Sequence, residues 1–157
     1  MKLTLLKGFL GFLVIVLSIS SNVNAQSYLG ELEFNEAKFR IEKRAEIAKI
    51  MKVDRSDVFW KLYDEYDTEC RLFSDRRIKM LYKYVDNYTT LTDSQVDELL
   101  QDIRKQQKGL DKLIHKYYKS IRKNKDAKTA ARFYFLENYF LNLVRSQIMA
   151  QIPLKNG

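Results

Sequence analysis

The chain has few of the residues that interrupt a helix or cross-link a fold. Its 157 residues include one cysteine, one proline and five glycines. Between positions 31 and 152 the only chain-breaking residue is Gly109, and no stretch carries the closely spaced turn signals of a β-sheet protein. The sequence therefore predicts an all-α fold.

Cysteine and histidine are too scarce for most metal, haem or disulfide chemistry. Structural zinc takes about four Cys or His ligands, whereas the chain has only Cys70 and His115 and lacks the C-x-x-C-H haem motif. No nucleophile lies beside a base in a recognisable signature. We therefore expect no catalytic, cofactor or metal residue and no enzyme. We interpret Cys70 as a small buried hydrophobe, with an intermolecular disulfide as the alternative.

The first 25 residues have the pattern of a signal peptide. Lys2 and Lys7 precede an uncharged apolar run, Gly8 to Ile19, and Val23 and Ala25 are the small residues of a cleavage site. The run is shorter than the ~20 residues of a membrane span. We expect cleavage after Ala25, a single domain at 26–157, a periplasmic location and membrane contact only during export. An uncleaved N-terminal anchor is the alternative.

The charge balance is basic. The whole chain carries +8, and the two lysines of the predicted signal peptide leave +6 on the rest. A basic protein can attract acidic partners, nucleic acid or anionic lipid headgroups. Because export separates the chain from nucleic acid, we expect protein partners instead.

Apolar periodicity predicts four helices joined by short links, which favours an antiparallel arrangement. We expect them at about 33–52, 55–88, 93–122 and 127–152, the second and third being long. Asp54 and Asp126 are candidate caps of the second and fourth helices, and Asp57 favours the positive end of the second helix. The predicted core face of the first helix is Phe34, Ala37, Ile41, Ala45, Ala48 and Met51. The predicted core stripe of the second helix includes Phe59, Tyr63, Tyr66, Cys70, Phe73 and Tyr84.

The third helix has the clearest local signal. Thr92 and Gln95 form the S/T-x-x-E/Q capping box, and Leu91 precedes it. The core face below this cap is predicted to include Val96, Leu99, Leu110, Ile114, Tyr117 and Ile121. Within it, Gly109 indicates close packing or a mild bend.

The fourth helix is apolar on more than one side. Its predicted core face is Phe133, Leu136, Phe140, Leu143, Val144 and Ile148. Tyr134, Phe135, Tyr139 and Leu141 fall off that face, so we expect an interface such as a homodimer through this helix. The alternative is a helix wrapped by the second one. Glu137 needs a buried cation, for which we expect Arg76, Arg77 or Arg104.

The most polarised segment spans the end of the third helix and the link after it. Its predicted partner-binding residues are Lys116, Tyr117, Lys119, Arg122, Lys123, Lys125 and Lys128. The functional interpretation is a basic and aromatic surface for acidic or unfolded polypeptide. The alternative is a solvated helix end whose cations complement the helix dipole.

Three blocks resemble the Spy/CpxP-like family of exported helical stress chaperones and metal-resistance sensors. They are VFWKLYDEY (58–66), NYTTLTDSQVDELL (87–100) and TAARFYFLENYFLNLVRSQIMAQIPL (129–154). Leu91, Thr92 and Gln95 meet the family's LTxxQ motif. The family often carries this motif twice, whereas here the start of the second helix reads VDRSD. The metal-sensing members of the family carry several histidines, whereas this chain has one.

The resemblance implies a long-helix fold, often a cradle-shaped dimer with a basic face for unfolded chains. Together with the basic cluster, it leads us to expect a non-enzymatic envelope chaperone or sensor accessory protein. Its partners would be unfolded clients or a membrane signalling protein. A metal-responsive regulatory sensor subunit is the alternative function, and a plain structural helical module is a third.

Overall fold

Four α-helices make up the fold in the computed structural model, which describes residues 25–87 and 90–151. They are α1 (Ala25–Met51), α2 (Val58–Asn87), α3 (Asp93–Asn124) and α4 (Ala127–Gln151). Every regular element in these two ranges is a helix, which confirms the all-α fold with long second and third helices. The predicted signal peptide, apart from Ala25, and the predicted stop at Pro153 lie outside the described residues.

The four helices pack in a ring, so that the first also contacts the last. Each contacts its neighbour in the chain, and α1 also packs against α4. Short links join them, and cross-helix pairs such as Arg77–Glu36 and Arg145–Asp111 fit antiparallel neighbours. α3 is therefore flanked by α2 on one side and α4 on the other.

Short polar side chains cap the starts of α2, α3 and α4, but the predicted cap of α2, Asp54, is wrong. The Gln95 N–H donates to Thr92 Oγ1 at 3.4 Å and the Thr92 N–H donates to Gln95 Oε1 at 2.9 Å, so the capping box of α3 is confirmed. Asp57 accepts the Phe59 N–H at 2.9 Å, and Asp126 accepts the Thr129 N–H at 2.7 Å. The cap of α2 is thus Asp57.

The core brings together the first half of α2, the second half of α3 and the middle of α4. Tyr66 lies at its centre, with its ring centroid 5.1 Å from that of Phe133 and 5.5 Å from that of Tyr117. Phe59, Ile114 and Ile121 are at most 1% exposed. The predicted core stripe of α2 is confirmed at Phe59, Tyr63 and Tyr66, the last two also being 1% exposed.

The predicted core face of α1 is wrong at most positions. Phe34 and Ile41 are 70% and 72% exposed, and Ala45 and Ala48 are exposed as well. The residues that α1 buries are Phe39, Lys43, Ile47 and Met51. Both sets repeat at helical spacing, and periodicity alone cannot decide between two such stripes when one contains a lysine.

Two close contacts tie α2 to its neighbours. A Cβ on Gly109 would lie 2.6 Å from Phe73 Cε1, so the predicted close packing at this glycine is confirmed. On the other side, the Arg44 guanidinium of α1 lies 5.0 Å from the ring centroid of Trp60. Glycine is therefore needed for α3 to approach α2 closely, and a cation–aromatic contact joins α1 to α2.

Among the described residues, no helix combines the length and hydrophobicity of a membrane span.

Candidate functional site

The basic cluster predicted from sequence lies at the corner where α3 ends and α4 begins. Lys119, Arg122 and Lys123 are exposed on the last turns of α3, and Lys128 is exposed in the first turn of α4. No ion pair involves these four side chains within the described ranges. They form the uncompensated part of the cluster.

The corner itself is held rigidly. The Lys125 N–H donates to the Ile121 carbonyl at 2.9 Å and so closes α3. Asp126 accepts from both the N–H and the hydroxyl of Thr129 at 2.7 Å, and these hydrogen bonds lower the pKa of Asp126. Ile121 and Ala130 are fully buried on either side of the link. The four exposed cations are therefore presented on a fixed frame.

Three of the predicted partner-binding residues are not available on this open surface, because one is buried and two are ion-paired. Tyr117 is only 4% exposed, because its ring packs in the core, and its hydroxyl donates to Glu69 at 2.7 Å. Lys116 is exposed but pairs with Glu69 at 2.6 Å, and the ammonium of Lys125 pairs with Asp57. Sequence spacing placed all seven residues in one cluster, but acids of α2 already compensate two of the lysines.

The acids that compensate these lysines line an open groove between the start of α2 and the end of α3. Its volume is about 950 Å³. Asp57, Asp64, Glu65 and Glu69 face it together with Arg55, Lys61 and Lys116. Hydrogen bonds from Lys116 and Tyr117 lower the pKa of Glu69. The groove is therefore of mixed charge, unlike the corner beside it.

An aromatic surface lies on the outer side of α4, about two to three turns from the corner. Tyr134, Phe135 and Tyr139 are 38%, 70% and 49% exposed. Tyr134 contacts Tyr118 of α3 edge-on, and Tyr118 stacks on His115, each with ring centroids 5.9 Å apart. The prediction that these α4 aromatics fall off the core face is confirmed.

Leu141 corrects that prediction. It was expected to lie off the core face with the three aromatics, but it is 9% exposed and belongs to the core. Phe133 and Phe140 are buried as expected, whereas the side chain of Ile148 lies outside what the structure describes.

A buried polar cluster joins α1, α2 and α4. Lys43 Nζ lies 2.7 Å from Glu137 Oε2, and the Tyr66 hydroxyl donates to the same oxygen at 2.7 Å. Burial disfavours the ammonium, but the Glu137 carboxylate together with Tyr63 and Cys70 offsets that effect, and the pKa of Lys43 is raised. The predicted arginine partners of Glu137 are therefore wrong, and Arg77 pairs with Glu36 instead.

Sequence reasoning missed this cluster because Lys43 lies outside the predicted core face of α1. A cavity of about 40 Å³ lies beside it, lined by Cys70, Ser74 and Arg77 among others. Glu137 Oε1 is buried without a hydrogen-bond partner from the protein. A cavity of this size has room for a buried water molecule, for which Glu137 Oε1 would be a partner. Burial also raises the pKa of the Cys70 thiol.

Among the described residues, no group of three or more His, Cys, Asp or Glu side chains is placed to hold a metal ion. His115 is exposed and contacts Tyr118. The exposed cations of the corner can attract anionic groups, and the exposed aromatic side chains of α4 can contact apolar ones.

Comparisons with protein-family models, with curated proteins and with solved structures found no match. The resemblance to the Spy/CpxP-like family therefore stays a prediction from sequence.

Proposed function

We propose that this chain is a non-enzymatic binding protein of the bacterial envelope, a chaperone of the Spy/CpxP kind. It holds unfolded or partner polypeptides in the periplasm without making or breaking a bond. The observation that carries the proposal is the pairing of four uncompensated cations at the α3–α4 corner with three exposed aromatic side chains on α4.

The two parts of this surface have different tasks. The cations Lys119, Arg122, Lys123 and Lys128 attract acidic stretches at long range, which speeds encounter and weakens as salt rises. The exposed rings then bury against apolar side chains that an unfolded polypeptide displays. Aromatic rings supply a large contact area with few rotatable bonds. The helical scaffold keeps the two kinds of side chain near one another.

The aromatic part is tested by a matched pair of substitutions. Phe135 and Phe34 are both 70% exposed, but Phe34 lies on α1. In an assay that follows aggregation of a denatured client protein by light scattering, Phe135→Ser should weaken suppression several-fold, whereas Phe34→Ser should leave it unchanged. Equal losses would show that any exposed phenylalanine serves, and the proposed surface would be wrong.

The cationic part is tested by salt and by charge removal. Replacing Lys119, Arg122, Lys123 and Lys128 together by glutamine should slow client capture at low salt and have little effect at high salt. Stopped-flow fluorescence of a labelled acidic client measures the rate. If the parent protein suppresses aggregation at neither salt concentration, the chaperone proposal fails.

The α4 aromatics also bear on oligomeric state, because the same surface is our predicted homodimer interface. Sedimentation equilibrium of the parent and of Phe135→Ser separates the two uses. A dimer that dissociates in the variant would support the interface, and a parent that is monomeric at every concentration would exclude it.

A further inference from the structure

Six lysines form one line along the solvent side of α3. They are Lys105, Lys108, Lys112, Lys116, Lys119 and Lys123, which we call the lysine row. All six are exposed. Successive members are three or four residues apart, which places them on one helix face. At about 1.5 Å of rise per residue the row is about 27 Å long. The basic cluster at the corner includes only three of the six.

The row is uniform in sign and faces away from the core. The buried residues of the same helix segment, Leu110, Ile114 and Ile121 among them, lie on the opposite side. Between positions 104 and 124 the only acid is Asp111, which pairs with Arg145 at 3.6 Å. α3 thus presents a positively charged ridge along this length.

Local partners compensate little of this charge. Lys105 lies 3.5 Å from Asp102, and Lys116 pairs with Glu69. The other four lysines make no ion pair within the described residues. Like charges at this spacing weaken a helix, and a merely solvated face usually mixes the two signs. The row therefore fits an anionic partner better than a role in stabilising α3.

We propose that the lysine row docks the protein on an anionic lipid surface. The row contains no arginine, the residue whose planar fork favours recognition of single phosphates or carboxylates. Lysine acts as a point charge on a flexible stem, which suits a diffuse layer of negative headgroups. Because the six lysines share one face of a single helix, a flat surface can contact them together.

Aromatic side chains flank the row on the α4 side. Tyr118 is half-buried, and its ring contacts the exposed Tyr134, which contacts Phe135 in turn at 5.9 Å between ring centroids. Aromatic rings beside a basic face are typical of proteins that bind membrane interfaces. These rings are therefore placed to reach the headgroup region once the lysines have docked.

The experiment uses co-sedimentation with lipid vesicles. Vesicles of phosphatidylcholine alone are compared with vesicles of phosphatidylcholine and phosphatidylglycerol in equal amounts, at low and high salt. The row variant carries Lys105→Gln, Lys108→Gln and Lys112→Gln, none of which belongs to the corner cluster. The control carries Lys61→Gln, Lys79→Gln and Lys83→Gln, three exposed lysines of α2 that remove the same net charge.

Binding of the parent should require phosphatidylglycerol and should fall as salt rises. Each lysine near an anionic surface contributes about fivefold in affinity, so the row variant should bind about 100-fold more weakly and the control only a few-fold more weakly. Glutamine has a helix propensity close to that of lysine. Circular dichroism of the row variant should therefore match that of the parent.

Four outcomes would overturn the proposal. They are no binding to phosphatidylglycerol vesicles at low salt, equal losses in the row variant and the control, binding to soluble polyphosphate without binding to vesicles, and binding that ignores lipid charge and salt. The row variant should keep its client activity, because the corner cations remain. The lipid proposal and the chaperone proposal can therefore fail separately.

Discussion

The two halves of α3 carry similar apolar repeats but bury them to different degrees. From Asp93 to Lys108 no residue is buried, and Val96 and Leu100 are 37% and 47% exposed. From position 110 to 121 five side chains are buried: Leu110, Leu113, Ile114, Tyr117 and Ile121. The change falls next to Gly109, where α3 packs closely on Phe73 of α2.

The difference comes from which helices reach each half. Arg145, six residues before the end of α4, pairs with Asp111, so α4 extends little past the middle of α3. The second half therefore has α2 and α4 on its two sides, whereas the first half has mainly α2, through contacts such as Gln106 to the Phe73 carbonyl. An apolar repeat thus predicts the direction of a buried face, but the neighbouring helices decide how deeply it is buried.

The largest expected loss of stability comes from removing the buried carboxylate of Glu137 on α4, which packs against the well-buried half of α3. Glu137→Leu should cost about 3–5 kcal/mol in the free energy of unfolding, because Lys43 would be left buried without its counter-ion. The double variant Lys43→Met with Glu137→Leu should regain most of that loss, since an apolar pair of similar size often replaces a buried ion pair. Urea denaturation measures both, and a single-variant loss below about 1 kcal/mol would contradict a structural ion pair.

A leucine pair within α3 tests the comparison directly. Leu110 is 6% exposed and Leu100 is 47% exposed. Leu110→Ala should cost about 2–5 kcal/mol in the free energy of unfolding, and Leu100→Ala should stay within about 0.5 kcal/mol of the parent. Equal costs in urea denaturation would mean that the first half is as well packed as the second.

Much of the fold, but less of the site, was predictable from these residues. Caps such as Thr92 act through neighbours three residues away, so the sequence alone predicts them. The buried face of α1 depended on long-range pairing of Lys43 with Glu137, which local periodicity does not contain. Likewise, Tyr117 and Lys125 looked available because the acids that engage them are distant in sequence: Glu69 lies on α2 and Asp57 caps it.

The boundary between the halves can be probed at Gly109. Gly109→Ala favours the helix by up to about 1 kcal/mol, but its Cβ would meet the Phe73 ring, and such overpacking costs about 1–3 kcal/mol. We expect the free energy of unfolding to fall by roughly 1 kcal/mol, as measured by thermal or urea denaturation. In a Phe73→Leu background the same substitution should be neutral or stabilising, and a loss that persists there would rule out the ring as the cause.

The weakest expected effect lies at the start of the sparsely packed half. Thr92→Ala removes one side of the capping box, which typically costs a helix about 1 kcal/mol. Because this half buries little, amide hydrogen exchange at Gln95 and Val96 should accelerate more than the global unfolding midpoint shifts. Thr90→Ala, outside the box, is the control. A midpoint shift as large as that of Leu110→Ala would mean that this end unfolds together with the core.

The contact between Arg44 and Trp60 has a practical consequence, because the chain contains no other tryptophan. Indole emission depends on nearby charge and on access of water, so intrinsic fluorescence reports directly on whether α1 stays docked on α2. Separation of these two helices would change the spectrum without any added dye. Client, lipid or denaturant titrations could therefore each be read for movement of α1 in the unmodified protein.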